Sequence, residues 1–398
     1  MTVKRKRPRT LRMPLKYDMP IHICALILGI FGLIMITSAS MGLVSTTLDL
    51  VTVVAKQVVF VIAGFVMMLL IARLFSFERL KALMPGIIMG TFFLLLFALA
   101  NDPVGGARAW IRFPLGSTEI TIQPSEFAKI VAILVVAYWW ADRKPTKKTA
   151  WEVIRVPAGI IMGFVFVIAV LQSDFGSAAV LFLISWIVTL IPRHPKLAGL
   201  QRGLVILTIV GIVFIFILMS PAGQGIIESL PLMEYQKMRI LSALNPFIDQ
   251  YGSGYQLING LISFATGGLW GVGFGNSVRK YTNFPAANTD FILAIIVEEL
   301  GFVFGFLLIT ALYGVIIYRL FKYAFKIKSE KGRVILIGTA MYFLIHFILN
   351  VGGVTGLIPL TGIPLLMISA GGSSTMASMI ALGLSQAIIA QYRRGEIE

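Results

Sequence analysis

Long apolar runs separated by short polar stretches set the rhythm of this chain. Runs centred on residues 21–40, 52–72, 83–100, 124–141, 152–171, 176–192, 202–220, 291–321, 334–350 and 373–391 have roughly the length at which a helix crosses a hydrocarbon core of about 30 Å. Their apolar positions are continuous rather than alternating, which excludes a β-barrel. The pattern predicts an all-α polytopic membrane protein of about ten transmembrane helices, with a long outer loop between spans 7 and 8. Residues 221–290 form the one long interval that is neither a clean span nor a short turn, and function is expected there.

Composition agrees: of 398 residues 58% are hydrophobic and 13% charged, far from the roughly 25% charged of a soluble domain. The net charge of +16 raises nucleic acid as a partner, so the placement of the cations decides. They lie in stripes: "KRKRPRTLR" before the first span, "RLFSFERLK" after the second, "DRKPTKK" after the fourth, "RHPK" after the sixth, "RLFKYAFKIKSEKGR" after the eighth and "YRR" at the end. Every second loop is basic, the positive-inside signature of a chain with both termini in the cytoplasm. Attraction to anionic lipid accounts for these clusters, and no nucleic acid is expected. The resulting division is a basic cytoplasmic segment over 1–20, a single transmembrane domain over 21–391 and a cytoplasmic tail over 392–398. Cys24 is the sole cysteine and lies in the first apolar run, which removes intrachain disulfides and cysteine metal sites. The basic start followed by an apolar run resembles a signal peptide, but the run is long and no A-x-A site closes it, so a retained first span is expected.

Polar residues on the outer side carry the candidate chemistry. In "QPSEFAK", Pro124 suits a first helical turn, which puts Glu126 and Lys129 at i and i+3 on one face. The two can pair merely to orient the helix, or Lys129 can present charge to an anionic substrate; both readings stand, since ionisable groups at membrane depth need a partner or a wet cavity. The glycine-rich "GYQLINGLISFATGGLWGVGFGNSVRK" does not fit G-x-x-x-x-G-K-[ST] and lacks a strand before it, so its glycines are read as close-packing or broken-helix positions. Arg279 and Lys280 run against the inside bias and call for an anionic partner. In "GLIPLTGIPLLMISAGGSS", prolines and glycines predict irregular backbone facing a cavity, and Ser369, Ser373 and Ser374 are open either to sugar and phosphate or to helix capping. His346, alone in an apolar run, is read as a packed histidine. "NTDFILAIIVEELG" places Asp290 about two turns from Glu298, on roughly one face if a single helix holds both, with Glu299 about 100° round.

Taken in order, "GARAWI", "QPSEFAK", "KMRILSALNPF", "GYQLINGLISFATGGLWGVGFGNSVRK", "NTDFILAIIVEELG" and "ISAGGSS" resemble the FtsW/RodA/SpoVE group, the SEDS peptidoglycan polymerases. "GFGNSVRK" and "DFGSA" lean toward the FtsW branch. The resemblance implies a peptidoglycan glycosyltransferase that polymerises lipid II at the outer face of the bacterial cytoplasmic membrane, for division or cell shape. It implies a class B penicillin-binding protein and other divisome or elongasome membrane proteins as partners. The family's essential acid falls on Asp290, and its "QPSE" residues on Glu126 and Lys129. Departures are Ala286 where the family carries an acid, Asn288 for a histidine, Ala109 for an arginine, Ser173 for a proline and Ser177 for a threonine.

Glycosyl transfer needs a base for the acceptor hydroxyl, an anomeric carbon held in line and positive charge for the departing diphosphate. Asp290 is the expected base. Arg108, Arg112, Lys129, Arg239, Arg279 and Lys280 are the available cations, with Glu298 in support and Ser373 as a further substrate contact. No resident cofactor is called for; a divalent cation at the diphosphate stays open. The rival reading is a lipid II flippase, in which the same cations hold the diphosphate without bond making; a scaffold would leave the outer acids unexplained.

Overall fold

The computed structural model describes residues 13–115, 118–141, 149–218, 234–252, 254–282 and 284–398, with single residues at 220, 223 and 225. Helices α1 (Met19–Ser40), α2 (Thr47–Leu74), α3 (Phe77–Ala98), α4 (Pro124–Trp139), α5 (Ala150–Phe166), α6 (Phe175–Thr189) and α7 (Ala198–Leu218) follow in order. Two shorter helices, α8 (Glu234–Leu244) and α9 (Tyr255–Gly267), occupy the long interval. The remainder is α10 (Ile292–Gly301), α11 (Leu308–Ala324), α12 (Glu330–Val354) and α13 (Gly372–Arg394). Among the described residues eight segments are long and apolar enough to cross a membrane, α10 and α11 counting together as Ile292–Ala324. The shorter α4 and α6 bring the bundle to the ten expected. The starts are local: Asp18, Thr46, Ser76, Asp174 and Ser329 cap α1, α2, α3, α6 and α12, and Thr149 forms a capping box with Glu152 at α5, each satisfying amides that lack an intrahelical acceptor.

Packing centres on α4, which touches α3, α5, α6, α12 and α13, while α13 lies along α2. Nearly every residue of α4 is buried. By contrast, none of the described side chains of α7 is buried, as expected of a helix with lipid all round it. At the basic end, buried Asp18 accepts from Arg319 at 2.5 Å and Arg393 at 2.9 Å, tying α1, α11 and α13 together.

Three features depart from a plain bundle. A two-stranded antiparallel hairpin, β1 (Ile111–Leu115) with β2 (Thr118–Ile122), precedes α4 and is the exception to the all-helical expectation. The eighth span is broken: Gly301 takes φ 76° and separates α10 from a π turn over Phe302–Leu307. A Cβ there would lie 2.4 Å from the Leu269 carbonyl, so glycine alone admits this contact. Residues 361–369, between α12 and α13, are non-helical although Leu365–Ser369 are buried.

Helix length explains where space arises. With 16 and 15 residues, α4 and α6 rise only about 24 and 22 Å, short of a hydrocarbon core of about 30 Å.

Candidate active site

A cavity of about 280 Å³ opens where these short helices begin. Its lining draws on Ala107 and Trp110, on Gln123, Glu126 and Lys129, on Asp174 and Ser177, on Thr289 and Asp290, on Thr361–Pro364 and on Ala370, Gly371, Ser373 and Ser374. The polar motifs scattered along the sequence thus meet in one place.

Parity is the reason. Helices α4, α6, α10 and α13 are the fourth, sixth, eighth and tenth spans, so all four start at the same end of the bundle. Gln123 precedes α4, Asp174 caps α6, Asp290 stands two residues before α10 and Gly371 precedes α13, and each of these residues lines the cavity. Four helix N-termini therefore turn the positive ends of their dipoles toward one space. At α4, α10 and α13 no side chain caps the first amides.

Within this field the side chains are tightly fixed. Glu126 and Lys129 are both 1% exposed and pair at 2.7 Å, i to i+3 as the sequence predicts. The Tyr342 hydroxyl donates to the other Glu126 oxygen at 3.1 Å. Lys129 Nζ also lies 3.3 Å from His346 Nε2, and His346 Nδ1 is 3.2 Å from the Pro364 carbonyl. Carbonyl oxygen only accepts, so Nδ1 carries the proton and Nε2 accepts from the ammonium. Two of the three Lys129 N–H groups are thereby occupied, and the residue is among those that line the cavity. Asp174 accepts from the Ser177 amide at 3.0 Å and from Gln123 Nε2 at 2.9 Å; Ser373 Oγ accepts from the Gln123 amide at 2.8 Å.

Asp290 sits in the turn before α10, half-buried, with the Thr289 hydroxyl donating to its Oδ1 at 2.8 Å. Ala286 holds that turn: at φ 57° its carbonyl accepts from the amides of Thr289 and Phe291. Asn350 Nδ2 donates both to the Asp290 carbonyl, at 2.8 Å, and to that of Ile363, at 2.9 Å. Asn288 donates to Ser40 Oγ at 3.1 Å, and its carbonyl takes the Ala370 amide at 2.8 Å. At Ser173, φ is 60°, a value closed to proline, so the departure there goes with a turn that proline would not permit.

Other expected site residues lie elsewhere. Lys280 is a correction: fully buried, it donates to Glu299 at 2.9 Å, to Ser38 Oγ and to the Gly275 carbonyl, which uses all three N–H groups away from the cavity. Glu298 is a second: it does not share a helix face with Asp290, because α10 starts only at Ile292. Its carboxylate accepts from Ser263, Ser277 and the Val278 and Arg279 amides, clamping the glycine-rich loop. Arg279 reaches Asn259 at 3.4 Å and does not line the cavity. Arg108 is exposed beside the cavity residue Ala107, and Arg112 faces Glu119 at 3.9 Å across the hairpin. The side chain of Arg239 lies outside the described residues, as do the basic segments 1–12 and 142–148. Among the described residues of the interval 221–290, Thr289 and Asp290 are the ones that line the cavity.

The fold and this cavity define a multi-pass helical membrane protein with an ionisable site sunk below one end of its bundle. Residues 18–394 match the family model described as cell cycle protein, FtsW/RodA/SpoVE, and the chain belongs to that family. It is 33% identical over 389 residues to stage V sporulation protein E of Bacillus subtilis, covering 96% of this chain and 97% of the relative. It is 32% identical over 383 residues to the probable peptidoglycan glycosyltransferase FtsW of the same organism, covering 94% and 90%. A solved chain of a peptidoglycan synthase complex, described as coordinating polymerisation and crosslinking, superposes with a TM-score of 0.69 at 26% identity, covering 95% of this chain and 98% of that one.

The burial of Lys280 carries a prediction. Lys280→Met strands Glu299 without its ion pair and is expected to cost about 3–5 kcal/mol, whereas adding Glu299→Gln recovers most of that loss. Thermal unfolding in detergent checks both; a Lys280→Met protein as stable as wild type would show that the ammonium is not committed to this pair.

Proposed function

We propose that the chain is a peptidoglycan glycosyltransferase that polymerises lipid II at the outer face of the bacterial cytoplasmic membrane. The observation that carries this reading is the meeting of the Asp290 carboxylate and the Lys129 ammonium in one cavity surrounded by four helix N-termini. Asp290 takes the proton of the acceptor sugar's 4-hydroxyl as that oxygen attacks the anomeric carbon. The anomeric C–O bond breaks, and undecaprenyl diphosphate leaves with its charge met by Lys129 and the amides at the start of α13. Trp110, Thr361 and Ser373 line the remaining space for sugar; the Thr361 hydroxyl is buried without a partner among the described residues. A divalent ion accompanying the diphosphate would find the carboxylates of Asp174 and Asp290, which both line the cavity. The names of the relatives favour bond making over the flippase alternative.

A class B penicillin-binding protein is the proposed partner, supported by the likeness to a chain from a complex that couples polymerisation to crosslinking. Both termini are assigned to the cytoplasm: the described cations Arg73, Arg79, Arg193, Lys196, Lys328 and Arg393 lie in loops or helix ends opposite the cavity, and such loops stay inside.

Two experiments test these assignments. Asp290→Asn keeps the shape but cannot accept the hydroxyl proton, so the purified variant is expected to lose at least about a hundredfold in glycan synthesis from labelled lipid II; near-normal product would remove the base role. For orientation, in a Cys24→Ser background an impermeant thiol reagent is expected to label Asp102→Cys on intact cells and to leave Lys328→Cys unmodified. The reverse pattern would invert the topology.

A further inference from the structure

Helix α12 is apolar along most of its length, yet Tyr342, His346 and Asn350 recur every four residues and so share one face. All three are buried, and each one ends on a group of the cavity. Tyr342 donates to Glu126. His346 joins Lys129 to the Pro364 carbonyl, and Asn350 joins the Asp290 carbonyl to that of Ile363. Pro364 and Ile363 are adjacent in the non-helical segment that walls the cavity. Lys129, on α4, and Asp290, in the turn before α10, lie far apart in sequence and are thus referenced to one another through neighbouring carbonyls and a single helix face.

We propose that this stripe is a positioning rail, with His346 acting through Lys129 and Asn350 acting through Asp290. The chemistry supports separate tasks. His346 must accept at Nε2 and donate at Nδ1 at once, which holds the Lys129 ammonium at its buried side and leaves one N–H for an oxygen of the lipid diphosphate. Asn350 bonds two carbonyls, those of Asp290 and Ile363; it holds the main chain of Asp290 and so sets where the base stands. The segment needs these side chains in any case, since its carbonyls are buried and outside helical hydrogen bonding. The rail makes that necessity serve alignment, at the sub-ångström level on which transfer depends.

The proposal rests on the glycosyltransferase reading, and its test keeps the two apart. Full-length protein is purified in detergent, and fluorescent lipid II binding, polymerisation kcat and thermal unfolding are measured together. His346→Phe fills the same space without polar atoms; it is expected to weaken lipid II binding about tenfold, the worth of one hydrogen bond to a charged group. His346→Gln, whose amide accepts and donates, is expected to recover most of the binding. In a Lys129→Met background His346→Phe adds no further loss, because it acts through Lys129. Asn350→Leu lowers kcat by about tenfold or more with lipid II affinity unchanged. If His346→Phe fails to insert, His346→Asn, too short to reach both partners, carries the same comparison. The proposal is overturned if His346 variants bind and polymerise as wild type, if their losses multiply with that of Lys129→Met, or if Asn350→Leu alters affinity and kcat alike. Wild-type protein that neither binds nor polymerises lipid II would instead overturn the functional reading.

Discussion

Polar groups placed at membrane depth have no bulk water to satisfy them, so each must find its partner inside the protein. The cavity end of this bundle is organised by that constraint. Short α4 and α6 begin at the cavity, whose lining gathers charged and polar groups that would otherwise face hydrocarbon. Glu126 and Lys129 answer one another. The non-helical wall is met by side chains: Tyr313 donates to the Leu366 carbonyl at 2.5 Å, and the Ser369 hydroxyl accepts from the Leu365 amide and donates to the Thr289 carbonyl.

The same bonds that satisfy the backbone also orient the chemistry. Ser369 and Asn288 bind the segment carrying Asp290 to the start of α13, and Asn350 binds it to α12. Four helix starts add a positive field without adding mobile side chains. A site made this way is preorganised for an anion, because its amides and the Lys129 ammonium are held before any ligand arrives. The buried Lys280–Glu299 pair does different work: it joins the loop after α9 to α1 and α10, and with Glu298 it gives the turn leading to Asp290 a fixed base.

Much of this was legible in the sequence because length and polarity in a membrane are direct physical constraints. Continuous apolar runs placed all ten spans, with ends shifted by a few residues. "QPSEFAK", "DFGSA", "NTDF" and "ISAGGSS" stood out because polar residues in such a chain require a reason, and the cavity gathers all four. Failures have equally physical causes. Lys280 looked like a free outer cation because its partner Glu299 sits 19 positions away on a helix whose break at Gly301 depends on a contact with Leu269. Glu298 was placed on the face of Asp290 by assuming one helix where a turn precedes α10. His346 is packed, as a lone histidine in an apolar run suggests; its polar partners are signalled in the sequence only by its four-residue spacing to Tyr342 and Asn350. Hairpin β1–β2 was hidden in an outer segment read for its charges.

The diphosphate of the lipid substrate is expected between Lys129 and the first turn of α13. Cryo-electron microscopy of the purified protein with bound undecaprenyl diphosphate measures this most directly. Phosphate oxygens are expected within hydrogen-bond distance of Lys129 Nζ and of the amides at Gly372–Ser374, with Asp290 facing the sugar side of the same cavity. A diphosphate seated at Arg279, or anywhere outside this cavity, would contradict it.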